Sequence, residues 1–295
     1  MKRILSVLLC LALCFEGVSV FAYTDYSDMG EEYKDATDIL SNLKIMEGFE
    51  DGTFRPDDTL TRAEAAAIMV RLLGKDNWVP EGETRFTDVE STHWAAEYIY
   101  RAEANGIVNG MGDGTFEPDS TVTYHQFVKM LVCILGYKPI AERFGGWLGG
   151  GYLYVGSSQV LGFTKGVPGK TEEPVTRMTA ARLVYNSLAV EMLDKVTLEH
   201  MNNGGLYCSL DYETLIEDYL GCELIVGVIT ETGNRMALVE ILKNSTRNDH
   251  YVKGQKYIFE DETRNGRNLE GYTVIAYVQK TDEGNRIIAV RKKEE

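Results

Sequence analysis

A 24-residue stretch occurs twice in this chain, and a sequence that repeats itself must fold as repeated units. Residues 51–74 read DGTFRPDDTLTRAEAAAIMVRLLG and residues 113–136 read DGTFEPDSTVTYHQFVKMLVCILG, 62 positions apart without a gap, and eleven of the 24 positions are identical. A fainter third copy follows at an offset of 115. There Val175-Thr176-Arg177, Ala180, Ala181 and Leu188 match Leu60-Thr61-Arg62, Ala65, Ala66 and Leu73, while Gly166-Val167-Pro168-Gly169 replaces the Asp-Gly-Thr-Phe turn.

Each copy reads as helix, turn, helix. Before the second turn, Trp94, Tyr98, Ile99 and Ala102 recur at near-helical spacing and Gly106 ends the run. That pattern predicts an amphipathic helix with Trp94 on its core face. Asp51-Gly52 and Asp113-Gly114 are turn dipeptides, and Pro56 and Pro118 delay the next helix. Phe127, Met130, Leu131, Ile134 and Leu135 then form the stripe of a core-facing helix, and Gly74 and Gly136 stop these second helices.

The start of the second helix separates folding from function. Thr61 with Glu64, and Thr123 with Gln126, fit the capping box, which contributes about 1 kcal/mol. Arg62 is not explained that way. An exposed cation in the first turn opposes the helix dipole by roughly 0.3–1 kcal/mol, and Arg177 repeats the anomaly beside Thr176. Two readings account for it: a guanidinium beside free backbone amides receives an anionic ligand, or each arginine pairs with a nearby carboxylate. A charge-assisted bond contributes roughly 1.5–3 kcal/mol, enough to offset the dipole. Tyr124 stands at this place in the second copy, so an anion site built there is expected to be weak or altered.

The rest of the chain sets the compartment and excludes several classes. Lys2 and Arg3, the apolar run Ile4–Phe15 and Val20-Phe21-Ala22 read as an export signal over residues 1–22, too short for the ~20 residues of a spanning helix. Leu13 before Cys14 disfavours lipidation there. With 30 basic against 45 acidic residues the net charge is −15, which repels phosphate backbones and argues against nucleic acid. No membrane partner is expected after signal cleavage. Beyond the signal, Cys133, Cys208 and Cys222 are too few for a disulfide framework, although a Cys208–Cys222 bridge is conceivable. The four histidines are scattered, so neither a metal nor a cofactor is expected.

FTDVESTHWAAEYIYRAEANGIVNGMGDGTFEPDSTVT at 86–123, with LTRAE at 60–64, resembles the S-layer homology module of exported bacterial proteins. The resemblance implies three copies at about 25–75, 86–137 and 140–190, folded as a helical, pseudo-threefold assembly with grooves between copies. It also implies a partner, secondary cell-wall polysaccharide carrying acidic sugars such as pyruvate ketals, and so peptidoglycan-associated glycan. Matched position by position, Arg62 agrees fully, Arg177 agrees within a degraded Thr-Arg-Met-Thr, and Tyr124 departs. Asp51 and Asp113 match the motif but are demanded by the turn as well. The candidate polysaccharide-binding residues are therefore Arg62, Arg177, Thr61, Glu64, Thr176, Asp51, Asp113 and Tyr124.

After a connector over 191–221, with a helical stretch at 212–220, the period changes. Runs at 223–230, 236–243, 256–260, 272–279 and 286–291 are short and β-branched, predicting a small barrel-like domain over 222–295. It carries no catalytic constellation. The fold class expected is α+β multidomain, an all-α repeat domain of 23–190 followed by a small all-β domain. The function expected is non-catalytic anchoring to the wall; the alternatives are a lattice-forming surface protein and a wall-bound glycan hydrolase.

Overall fold

The computed structural model describes residues 23–74, 82–159, 161–167, 169–193, 213–233, 236–243, 251–261, 269–281 and 284–293. The signal segment and Cys208 lie outside these residues. Seven α-helices come first: α1 Glu31–Asn42, α2 Arg62–Leu72, α3 Ala96–Ala104, α4 Tyr124–Ile134, α5 Lys138–Arg143, α6 Gly151–Ser157 and α7 Arg177–Ser187. Five strands follow: β1 Cys222–Gly233, β2 Met236–Lys243, β3 Lys256–Asp261, β4 Thr273–Thr281 and β5 Gly284–Lys292. Among the described residues the connector has a π turn at Leu215–Tyr219, shorter than the helical stretch expected over 212–220.

The helices assemble through their starting points. Leu60 N–H donates to Val175 O (3.1 Å), Val175 N–H to Val122 O (2.9 Å) and Val122 N–H to Leu60 O (3.0 Å), so three backbone bonds close a ring. All three side chains are buried in the core. Each second helix then packs on the first helix of another copy: α2 on α3, α4 on α5 and α6, and α7 on α1. The expected stripe on α4 is buried along its length, from Phe127 to Leu135.

The Asp-Gly-Thr-Phe turns are held from a distance. Asp25 accepts from the N–H groups of Phe54 (3.0 Å) and Arg55 (2.8 Å), and Asp88 accepts from Phe116 (2.8 Å) and Glu117 (2.7 Å). Arg55 and Glu117 sit at φ 55° and 58°, a left-handed conformation uncommon for a residue with a side chain. The carboxylates stabilise those strained positions by accepting two amides each.

The C-terminal sheet closes in the order β1-β2-β3-β5-β4; β3 and β5 run parallel and every other pair is antiparallel. Closure leaves no edge strand unpaired. Inward residues alternate along β4, at Val274, Ala276 and Val278, and pack around Ile229, Val239 and Phe259. Gly227, beside a bulge in β1, is required by close approach: a Cβ there would lie 2.5 Å from Val239 Cγ1. The barrel docks on the helices through Cys222 and Ile288, which are buried in the helical core. Asn42 Nδ2 donates to Ile288 O (2.8 Å), and Gln279 Nε2 to Leu220 O (2.9 Å). Cys222 is a free thiol whose pKa burial pushes up to about 12; Cys133, half-buried and free, is pushed up to about 11 by the same cause. Among the described residues no helix is long and apolar enough to cross a membrane.

Candidate functional site

The N-termini of α2, α4 and α7 are not free. Arg62 and Ala63 N–H donate to Ser120 and Pro118 O, Tyr124 and His125 N–H to Glu173 and Thr171 O, and Arg177 and Met178 N–H to Asp58 and Pro56 O. The third amide of each helix is capped by Thr61, Thr123 or Thr176 at 3.2–3.3 Å. The boxes at Thr61/Glu64 and Thr123/Gln126 close reciprocally, whereas Thr176 meets the hydroxyl of Thr179. The expectation of backbone amides open to an anion is therefore corrected, because the neighbouring copy's loop satisfies them first.

The arginines follow the same logic, and both earlier readings need revision. Arg62 Nε donates to Phe116 O (2.8 Å) and one terminal nitrogen to Asn109 O (3.0 Å), with the guanidinium 4.5 Å from the Phe116 ring centre. Arg177 makes the same pattern toward the first copy, with Nε to Phe54 O (2.8 Å) and a terminal nitrogen to Glu47 O (2.8 Å). It lies 4.8 Å from the rings of Phe49 and Phe54. Among the described residues neither arginine forms an ion pair. Both are buried, and desolvation lowers their pKa against the opposing pull of Glu117 and Asp88 on Arg62, and of Glu64, Tyr23 and Asp58 on Arg177. Arginine nonetheless stays charged at neutral pH. Each guanidinium fastens one copy to the turn of another.

Tyr124 occupies the corresponding place between the second and third copies. Its hydroxyl donates to Val167 O (3.1 Å), and its ring lies where a Cβ on Gly169 would approach within 2.1 Å. A glycine-containing turn there meets a neutral aromatic in place of an arginine. Asp51 and Asp113 are exposed and accept from the amide and hydroxyl of Thr53 and Thr115, at 2.6–3.0 Å. Those bonds hold both carboxyls below the usual range, Asp51 further with help from Arg55. Their geometry is that of turn-forming residues.

Of the sequence-predicted residues, Arg177 and Glu64 come together on the wall of one pocket of about 260 Å³ between copies. The turn at 45–48, Leu60, Ala67, Ile68 and Arg71 complete it, and Trp94 forms the outer rim. Trp94 corrects the expectation of a core residue, since it is 57% exposed. The reason is local: α3 begins at Ala96, two residues later, and His93 Nδ1 accepts from Ala95 N–H (3.1 Å) in the preceding turn. Projecting helical spacing back to Trp94 gave it a direction it does not take. Arg71, also missed, is held by its bond to Ile45 O (3.2 Å) and lies 5.4 Å from the Tyr98 ring.

Near the second copy, Trp147 stacks on His125 at 3.9 Å, with Lys129 Nζ 5.8 Å from the indole. His125 is buried, and its Nε2 has no hydrogen-bond partner among the described residues. Desolvation lowers its pKa from 6.5, against Glu172 and with Lys129. The unfolded chain therefore takes up this proton first, and stability is lost as pH falls through the unfolded value of 6.5 toward the depressed folded one. His125→Phe is expected to flatten that acid limb by up to about 1.4 kcal/mol per pH unit, read from urea melts between pH 7 and 5. Identical slopes in the two proteins would contradict the assignment.

A family model described as S-layer homology domain matches residues 22–66 and 85–128. A surface layer protein of Brevibacillus choshinensis is 30% identical over 183 residues, 61% of this chain and 16% of the relative. A cell surface protein of Thermoanaerobacter kivui is 28% identical over 203 residues, 66% of this chain and 26% of that one. A cellulosome-anchoring protein of Acetivibrio thermocellus is 29% identical over 171 residues, 52% and 38% respectively. The chain thus spans well under half the length of each of these relatives. Residues 22–66 and 85–128, which contribute α1, all of α3, the Arg62 fastener and the Trp94 rim, belong to the S-layer homology family.

Proposed function

We propose that this chain is an exported, non-catalytic wall anchor, located at the cell-wall surface, whose three S-layer homology copies form a pseudo-threefold assembly that holds acidic cell-wall polysaccharide. The third copy, at about 140–190, is part of this reading, as is the domain division at 190 and 222. The observation that carries it is the pairing on one pocket wall of a largely exposed indole, Trp94, with the buried cation Arg177. A flat aromatic face stacks on the apolar face of a sugar ring, and an arginine in a partly desolvated wall attracts its carboxylate. Arg71 adds a second cation, and Glu64 supplies an acceptor for hydroxyls. The resemblance to surface and cellulosome-anchoring proteins supports the same reading. Several modest sites on one chain raise residence through effective concentration, so no single pocket has to be tight.

Trp94→Ala is the direct test, because an exposed side chain can be removed with a stability change of about 0.5 kcal/mol or less. Sedimentation of the mature protein with purified walls is expected to weaken at least about tenfold, equivalent to 1.4 kcal/mol. Stripping the polysaccharide from the walls should abolish the remainder. A variant that sediments like the parent would overturn this assignment of the pocket.

A further inference from the structure

We propose that the outer face of β2 and β3 is the docking surface for a second copy of this chain, pairing two chains through their barrels. The inference does not depend on what the helical copies bind.

The argument begins with the alternation of the two strands. Ala237, Val239 and Ile241 on β2 and Phe259 on β3 belong to the barrel core, so Met236, Leu238, Glu240 and Leu242, with Lys256, Ile258 and Glu260, form the opposite face. Ile258 is 61% exposed, and Met236 and Leu242 are exposed as well. The contacts that dock the barrel on the helices come from Cys222 on β1, Gln279 on β4 and Ile288 on β5. None of these uses β2 or β3, so the apolar face points away from the helical assembly. The solvated face of an antiparallel sheet is ordinarily polar, and exposed large apolar side chains on two adjacent strands depart from that rule.

The arrangement of charge around the apolar centre identifies the occupant. Register places Met236 opposite Glu260, Leu238 opposite Ile258 and Glu240 opposite Lys256. The apolar row is thus flanked on one side by a glutamate and on the other by a glutamate and a lysine. A second copy turned over about a two-fold axis across the strands sets each Lys256 against Glu260 of the other copy. An axis along the strands sets it against Glu240 instead. Under both rotations the lysines meet glutamates and the Leu238 and Ile258 row packs on its own counterpart, which is the self-complementarity an isologous contact requires. A partner of uniform charge would instead bring like charges together, against Lys256 or against the glutamates. Among the described residues Glu240, Lys256 and Glu260 form no ion pair within the chain.

Two strands make a small platform. The contact falls at the lower end for specific interfaces, below about 1,200 Å² in total, so the dimer is expected to be reversible and to form at micromolar concentrations or above. Because the docking strands lie on the far side of each barrel, the two helical assemblies end on opposite sides of the dimer. On the wall-anchor reading, one particle then carries twice the number of grooves.

The test is sedimentation velocity on the full mature chain over a concentration series without glycan, with circular dichroism checking that each variant is folded. The parent is expected to pass from monomer to dimer, and Ile258→Asp to raise the dissociation constant at least about tenfold. A monomer throughout the series overturns the proposal; loss of wall-glycan binding in Ile258→Asp would then give the face to a saccharide. Lys256→Glu should weaken the dimer similarly, while Lys280→Glu, the same change of charge on β4, should not. Adding Glu260→Lys or Glu240→Lys to Lys256→Glu should restore the dimer, and whichever does so identifies the axis. Rescue by neither overturns the two-fold pairing. Loss of the dimer in Leu148→Ser, a residue 98% exposed on the loop between α5 and α6, with no effect of Ile258→Asp, overturns this face as the interface.

Discussion

Arg177→Ala is expected to destabilise the ligand-free protein by about 2–4 kcal/mol, and Arg62→Ala by a similar amount. Each change strips two carbonyl oxygens of their donors, Phe54 and Glu47 in one case and Phe116 and Asn109 in the other. Each also empties the space beside a buried phenylalanine ring, which adds a cavity cost. Removing a desolvated cation returns part of that cost, which is why the range stops short of the largest buried-charge effects. Lysine should recover only a fraction, since an ammonium cannot reach two carbonyls in the fixed geometry of a guanidinium. Urea unfolding of the apo-protein measures the difference; a change within about 0.5 kcal/mol would mean that these bonds are incidental. Loss of wall binding in a double arginine variant would therefore report a broken assembly as readily as a lost ligand contact, and Trp94→Ala is the cleaner probe.

Gly136→Ala is expected to cost about 2–6 kcal/mol. Gly136 sits at φ 84°, where a side chain is strained, and a Cβ would lie 2.0 Å from Leu193 O. That carbonyl cannot simply withdraw, because Leu193 N–H is bonded to Leu135 O (2.9 Å) and pins the outgoing chain to the end of α4. Gly74 repeats the arrangement at φ 76°, with a Cβ 2.3 Å from Tyr219 O. Both glycines read in sequence as helix stops, and that reading explains the dihedral. It does not explain the backbone packed against them, which belongs to segments more than fifty residues away. An alanine variant as stable as the parent in thermal melts would show that the connector is free to move aside.

The same division runs through the molecule. What one or two helical turns decide was legible: the capping boxes at Thr61 and Thr123, the apolar stripe of α4, the turns at Asp51 and Asp113, and the strands of the barrel, whose alternation and turn clusters are local signals. What depended on partners from another copy was not. The amides of Arg62 and Arg177 looked open because Ser120, Pro118, Asp58 and Pro56, which bond them, stand far away in the chain. The two arginines were rightly singled out as anomalous, but a third explanation, backbone carbonyls of a neighbouring turn, was invisible without the fold. Trp94 was misdirected by a boundary error of two residues.

The three-bond ring among Leu60, Val122 and Val175 also limits how such a chain can evolve. An open stack lengthens by duplicating a unit, because each addition leaves the ends as they were. A closed circuit has no ends, so a fourth unit would have to break a junction and lose a fastener to enter. Valency in this architecture is thus capped at the helical hub, and any new capacity has to be appended outside it, as the barrel is.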